Sequence, residues 1–242
     1  SSTLWIEQAA HGVLALTQGN HATLHLLDAE TGRSMASRTL DNMSRITVPP
    51  VLIGDEIITV DRDGKAFIFD AVTLNEKRTY DSKVRLPSML HAAETDHVIV
   101  GQNSVARHDG KTGGVQWRRD FAGGEFGMDR RGSGDKICVT VRGAGFSARV
   151  LFINLADGRE ISAYNVPRAG ETDRVEVRQS GVFDGGIVLA FADRRMREGR
   201  MELWGFRLVV IDADGTERFS CQVDATTTQE PVQLAVRAGV DA

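Results

Sequence analysis

Short apolar runs recur along the chain, each closed by Asp or Asn, a small turn and a more polar run. Five segments share this form: LHLLDAETGR, AFIFDAVTLN, VARHDGKTGG, LFINLADGRE and LVVIDADGTE, closed by Asp28, Asp70, Asp109, Asn154 and Asp212. Apolar runs this short, bounded by turn residues, predict strands rather than helices. A second apolar run precedes each closing residue, which is the signature of a hairpin. Ile57 to Val60 leads into Ala66 to Phe69 across Asp61, Arg62, Asp63 and Gly64; Val98 to Val100 leads into Ser104 to Arg107. Ile137 to Val141 and Val150 to Ile153 bracket a Gly143, Ala144, Gly145 turn. A further strand is predicted upstream of each hairpin, at Leu4 to Glu7, Ile46 to Val48, Met89 to Leu90, Phe126 to Met128 and Val175 to Val177. A fourth follows the turn, as at Val115 to Arg118 and Glu160 to Ala163. Four short strands per repeat is the pattern of a propeller blade.

The closing residues are spaced 42, 39, 45 and 58 apart, a period near 40 whose last interval is lengthened by the charged stretch DRRMREGR, Asp193 to Arg200. The repeats fall at about 4–41, 42–82, 83–122, 123–166 and 167–224, and 225–242 starts a further blade or supplies a closing strand through Pro231 to Val236. The expected fold is an all-β β-propeller of about five four-stranded blades in one domain, either closed or part of a larger propeller. An incomplete ring would leave an edge strand able to pair with another chain. A β-solenoid or a two-sheet sandwich competes, but solenoid rungs repeat at shorter periods and a sandwich needs no recurrent Asp turn. Thr31, Thr73 and Thr112 follow three of the anchors at the same distance, and Gly32 and Gly113 come next in two of them. An Asp carboxylate can accept from the backbone N–H groups ahead of it, while Gly tolerates the positive φ that such a turn requires.

At VARHDGKTGGVQW the chain resembles the quinoprotein-like propeller repeat, which also overlaps WD-type repeats: an apolar strand, Asp-Ala-x-Thr-Gly, then Trp eight residues beyond the Asp. Asp109, Thr112, Gly113 and Trp117 match that pattern, whereas Ala36 and Arg78 stand where the first two repeats would carry Trp. The resemblance implies blades whose Trp packs between neighbours. Its cofactor-using members are larger dehydrogenases, many with adjacent cysteines. Cys138 and Cys221 are far apart here, so the resemblance is to the non-catalytic branch, which implies a scaffold and no cofactor.

Charge and chemistry narrow the functional classes. The 29 Lys plus Arg against 33 Asp plus Glu give a net −4, which argues against a nucleic-acid footprint over the surface. No apolar run approaches the roughly 20 residues that span a bilayer, so a soluble chain without membrane insertion is expected. The chain starts at Ser1, which leaves cytoplasmic and exported locations both open. Asp109, Gly110, Lys111 and Thr112 imitate the end of a phosphate loop, but Val105 occupies the place of the required glycine. Asp61, Asp63, Gly64 and Asp212, Asp214, Gly215 echo calcium loops with too few carboxylates, and read as tight turns. The six histidines, His11, His21, His25, His91, His97 and His108, lack metal-ligand spacing and read as surface and loop residues, and the two cysteines as buried thiols. The Arg118, Arg119 and Arg130, Arg131 doublets lack interleaved aromatics. Arg194, Arg195, Arg197 and Arg200, at the tip of an elongated hairpin, are the candidate partner-binding residues, because guanidinium pairs bidentately with carboxylates. The expected function is a non-enzymatic scaffold that binds another protein; the alternative is a ligand-binding or enzymatic propeller with a central pocket for a quinone or a sugar.

Overall fold

The computed structural model describes residues 2–43, 45–121, 127–128, 135–142, 148–166, 174–183, 186–212 and 214–224. Among these residues twenty strands form five four-stranded antiparallel sheets, and in each of them sequential strands are neighbours. Two compact units, Ser1–Asp120 and Phe121–Ala242, contain three and two of these sheets.

In the first unit, sheet one comprises β1 (Ser2–Ala9), β2 (Gly12–Gln18), β3 (Ala22–Leu27) and β4 (Ser34–Leu40). Sheet two comprises β5 (Val51–Ile53), β6 (Glu56–Val60), β7 (Lys65–Asp70) and β8 (Glu76–Asp81), and sheet three β9 (Met89–Ala93), β10 (Asp96–Val100), β11 (Ser104–His108) and β12 (Val115–Asp120). The second unit holds sheet four, β13 (Gly127–Met128), β14 (Lys136–Arg142), β15 (Ala148–Asn154) and β16 (Glu160–Val166). Its sheet five is β17 (Arg174–Phe183), β18 (Gly186–Arg197), β19 (Arg200–Asp212) and β20 (Glu217–Asp224).

Middle strands β6 and β7 are buried along nearly their whole length, because sheets one and three cover the two faces of sheet two, and β10 and β11 are buried to a similar extent. Fourth strands β4, β8 and β12 alternate exposed and half-buried residues, as their polar sequences require. Alternation gives sheet two a different neighbour on each side. Ile57, Phe67 and Phe69 pack with Leu14, Leu16 and Leu24 of sheet one, while Ile58, Val60 and Ile68 pack with Ile99 and Ala106 of sheet three. In the second unit Val150 and Phe152 of sheet four meet Ile187, Leu189 and Phe191 of sheet five.

The repeat turns share one geometry in three of the anchors. Oδ1 of Asp28 accepts from the amides of Glu30 and Thr31 and from the Thr31 hydroxyl, at 3.1, 2.7 and 2.7 Å. Asp70 with Thr73 and Asp109 with Thr112 repeat the arrangement. These bonds hold the three carboxyls below the usual range. The residue four beyond the anchor has positive φ in four repeats: Gly32, Gly113, Gly158 and, without a glycine, Leu74. Leu74 is almost fully buried in the core between sheets one and two, which offsets its backbone strain. Asn154 makes the side-chain bond to the Ala156 amide. Asp212 differs: its carboxylate pairs with Arg218 at 2.6 Å, and Asp214 caps the turn by accepting from the Thr216 amide.

Several sequence expectations are corrected. Ile46 to Val48 do not form the first strand of the second repeat; Pro49 and Pro50 interrupt the run, Ile46 makes a single bridge to Asp61, and the strand begins at Val51. Ile46 and Val48 are nonetheless buried, so their apolar character serves the core. His97 and His108 are not surface residues but wholly buried, and Cys221, unlike buried Cys138, is only half-buried. The Gly143 to Gly145 turn, Phe126, Arg130, Arg131 and Pro231 to Val236 lie outside the described residues.

Candidate interaction site

Strands β18 and β19 are 12 and 13 residues long, whereas the corresponding middle strands of the other sheets have 5 to 7. Glu198 and Gly199 join them, with φ of 49° and 77°, the two left-handed residues that a tight hairpin turn between right-twisted strands prefers. Among the described residues β17 pairs with β18 as far as Arg194, and β20 pairs with β19 as far as Gly205. Beyond those points the described residues form a two-stranded arm that extends about 10 Å at the rise of a β-strand.

The base of the arm is fixed from within. Asp193 was expected at its charged tip but is completely buried, and both its oxygens accept from Arg207, at 2.6 Å from Nε and 2.7 Å from Nη2. The Arg207 guanidinium lies 5.9 Å from the centre of the Phe191 ring. Directly above this pair Trp204 is an extra residue on β19, since Asp193 pairs with Gly205 and Arg194 with Leu203. Such a bulge bends the ribbon and re-aims the residues beyond it.

The register sorts the four arginines. Arg194 lies opposite Leu203 and Met196 opposite Met201, while Arg195 faces Glu202 and Arg197 faces Arg200. Successive residues of a strand point to opposite faces. One face of the arm therefore carries Met196, Met201 and Leu203 with Arg194, and the other Arg195, Arg197, Arg200 and Glu202. Met196 and Trp204 are about half exposed, at 51% and 47%, and the Arg195 guanidinium sits 5.1 Å from the Trp204 ring centre. That contact is a cation–π arrangement that restrains the Arg head beside the indole. Sequence reading finds the arginines but not Met196, which lies inside the charged stretch, nor Met201 and Trp204, which fall in the apolar run Met201 to Ile211; the excess length of that run over the other repeats is the available signal.

Other candidate residues have structural partners. Trp117 is half-buried on β12 and pairs with Arg107, and Arg118 bonds Asp120 and the Lys83 carbonyl. Arg78, at the Trp position of the second repeat, forks onto Glu56 and donates to the Gly110 carbonyl of the third, so a polar bridge joins these two sheets. Its guanidinium draws the Glu56 carboxyl down to about 2. Asp61 is buried, and its Oδ1 accepts from the amides of Asp63 and Lys65 as part of the hairpin turn. Among the described residues no three of His, Cys, Asp and Glu gather closely enough to hold a metal ion, and no helix is long and apolar enough to cross a membrane.

No protein-family model and no curated protein matches the chain. Solved structures do. BamB from Moraxella catarrhalis aligns with a TM-score of 0.61 at 14% identity, over 91% of this chain and 64% of that one. The computationally designed protein Ika8 aligns with a TM-score of 0.65 at 13% identity, over 96% of this chain and 66% of the other. The chain thus spans just under two thirds of the length of each. At such identities the likeness concerns the fold, and with the five four-stranded sheets it makes this chain an all-β protein of the β-propeller type.

Proposed function

We propose that the chain is a non-enzymatic propeller scaffold that binds another protein through the arm of β18 and β19. The observation that carries this reading is the arm itself. It lifts Met196, Met201 and Trp204 away from the core into solvent, although apolar side chains on ordinary strand ends would gain by turning inward. Exposed apolar residues set among arginines have the composition of protein interfaces, in which Trp, Met and Arg are enriched. A buried ion pair and a bulge at the base hold this surface in a fixed direction, which reduces the entropy lost on binding. No observation among the described residues favours the quinone or sugar pocket.

The test removes the arm and keeps the sheet. Replacing residues 194–204 by Asn-Gly closes the hairpin directly between Asp193 and Gly205. Partners identified by cross-linking and mass spectrometry with the intact chain should be lost with the shortened one, while far-UV circular dichroism and the unfolding midpoint stay close to the parent. Retention of the same partners by the shortened chain would refute the reading, as would turnover of a substrate that survives arm removal.

A further inference from the structure

We infer that the arm recognises an extended acidic segment of a partner protein, in which carboxylate and apolar side chains alternate. This rests on the reading of the arm as the protein-binding site and names what it binds. The first observation is the opposition of Arg197 and Arg200 in the last pair before the turn. Like charges directly opposite each other in a ribbon destabilise it, and a carboxylate placed between two guanidinium groups turns that repulsion into two charge-assisted hydrogen bonds. Arg195 lies on the same face, oriented by Trp204.

The second observation is the distribution of charge. Arg194, Arg195, Arg197 and Arg200 against Glu198 and Glu202 leave the arm with two positive charges in a chain of net −4, so the rest carries −6. A long polyanion such as a nucleic acid would gain at the arm and be repelled by the remainder. A short acidic segment meets the arm alone, and complementary charge would steer it there. The third observation is the two-faced ribbon: one face presents Arg195, Arg197 and Arg200 with Glu202, the other Met196, Met201 and Leu203 with Arg194. A strand laid along the ribbon offers its side chains alternately to the two sides. Glutamate or aspartate at every second position meets the arginine face, and leucine or valine between them meets the methionines, whose unbranched side chains adapt to varied apolar partners.

Fluorescence anisotropy with the full chain tests this. The probes are a labelled twelve-residue peptide alternating Glu with Leu or Val, the same peptide with Gln for Glu, a single-stranded oligonucleotide of twelve thymidines, and vesicles containing phosphatidylglycerol. The Glu peptide should bind most tightly and weaken with added salt. Arg197→Glu with Arg200→Glu should weaken it about tenfold or more, and a peptide with Lys for Glu should regain the loss. Met196→Ser with Met201→Ser should weaken both the Glu and the Gln peptides. Equal binding of the Gln peptide, stronger binding of the oligonucleotide or the vesicles, or indifference to the charge reversal would overturn the inference. If the charge-reversed chain keeps the partners that the arm-deleted chain loses, the scaffold reading stands and the acidic partner falls.

Discussion

At the scale of single residues, the pair that matters most to the arm is Asp193 with Arg207. Both are buried, and the carboxylate takes a forked bond from the guanidinium. The attraction within such a pair is largely spent on desolvating its members, so its value lies in the cost of leaving one alone. Asp193→Ala should therefore lower the stability measured by urea unfolding by about 3–5 kcal/mol, whereas Asp193→Leu with Arg207→Met should recover most of it. Equal midpoints for the parent and the single variant would show that the pair does not hold the base. None of this was legible in the sequence. Asp193 abuts Arg194 and Arg195 and reads as part of a charged tip, while Arg207 reads as an interruption in the apolar run from Met201 to Ile211. Only the register, with its extra residue at Trp204, places the two side by side. The turn anchors were more legible, because Asp28, Asp70 and Asp109 find their partners within three residues.

Elements bring together what neither strand contains. His97 on β10 and His108 on β11 pair in register and stack with ring centres 5.5 Å apart, and Tyr80, from β8 of the preceding sheet, closes over both. The Tyr80 hydroxyl and His97 Nε2 are hydrogen-bonded, and His108 donates from Nδ1 to the Gly113 carbonyl at 3.1 Å. Burial favours the neutral rings; it draws His97 down to about 3 and lowers His108 as well, and burial likewise lowers His91 on β9. The sign follows: a histidine whose folded value lies below its unfolded one, near 6.5, contributes stability that is complete above pH 6.5 and is lost as pH falls toward the folded value. Depressed carboxyls such as Glu56 and Asp96 act in the same direction, but only from their unfolded values of about 4 downward. The window between pH 6.5 and 4.5 therefore belongs to the histidines, with about 2–3 kcal/mol from His97 alone by pH 4.5. Urea midpoints should be flat above pH 7 and fall through that window. His97→Gln with His108→Gln should flatten the fall, leaving the part due to His91. An unchanged slope in the double variant would exclude these two rings as its source. Period and alternation located the strands, yet a lone histidine in a strand reads as a surface residue, because the covering ring comes from another repeat.

On the scale of the whole molecule, the repeat period was the legible part: five anchors imply five sheets, and the described residues form five. The joints between sheets were not legible. At the Trp position of the second repeat Arg78 looks like decay of the motif, but it bridges its own Glu56 to the Gly110 carbonyl of the next repeat, a contact that no pattern of apolar residues announces. Such joints decide how much of a repeat protein folds as a unit, since its stability is close to a sum of repeats and nearest-neighbour interfaces. In the first unit both interfaces run through sheet two, whose Phe67 and Phe69 serve sheet one while Ile58 and Ile68 serve sheet three. Cutting the chain after Asp120 leaves both apolar clusters, the Arg78 bridge and the His97, His108 and Tyr80 stack complete. A piece of about this length buries enough surface to be stable alone. Residues 1–120 should consequently fold by themselves, with a β-type circular dichroism spectrum and a single urea transition that coincides by fluorescence and by dichroism. Because sheet two is the common member, the three sheets should melt together rather than in sequence. Non-coincident transitions would mean that the two clusters are independent, and a fragment without a cooperative transition would mean that the first unit relies on the second for its stability.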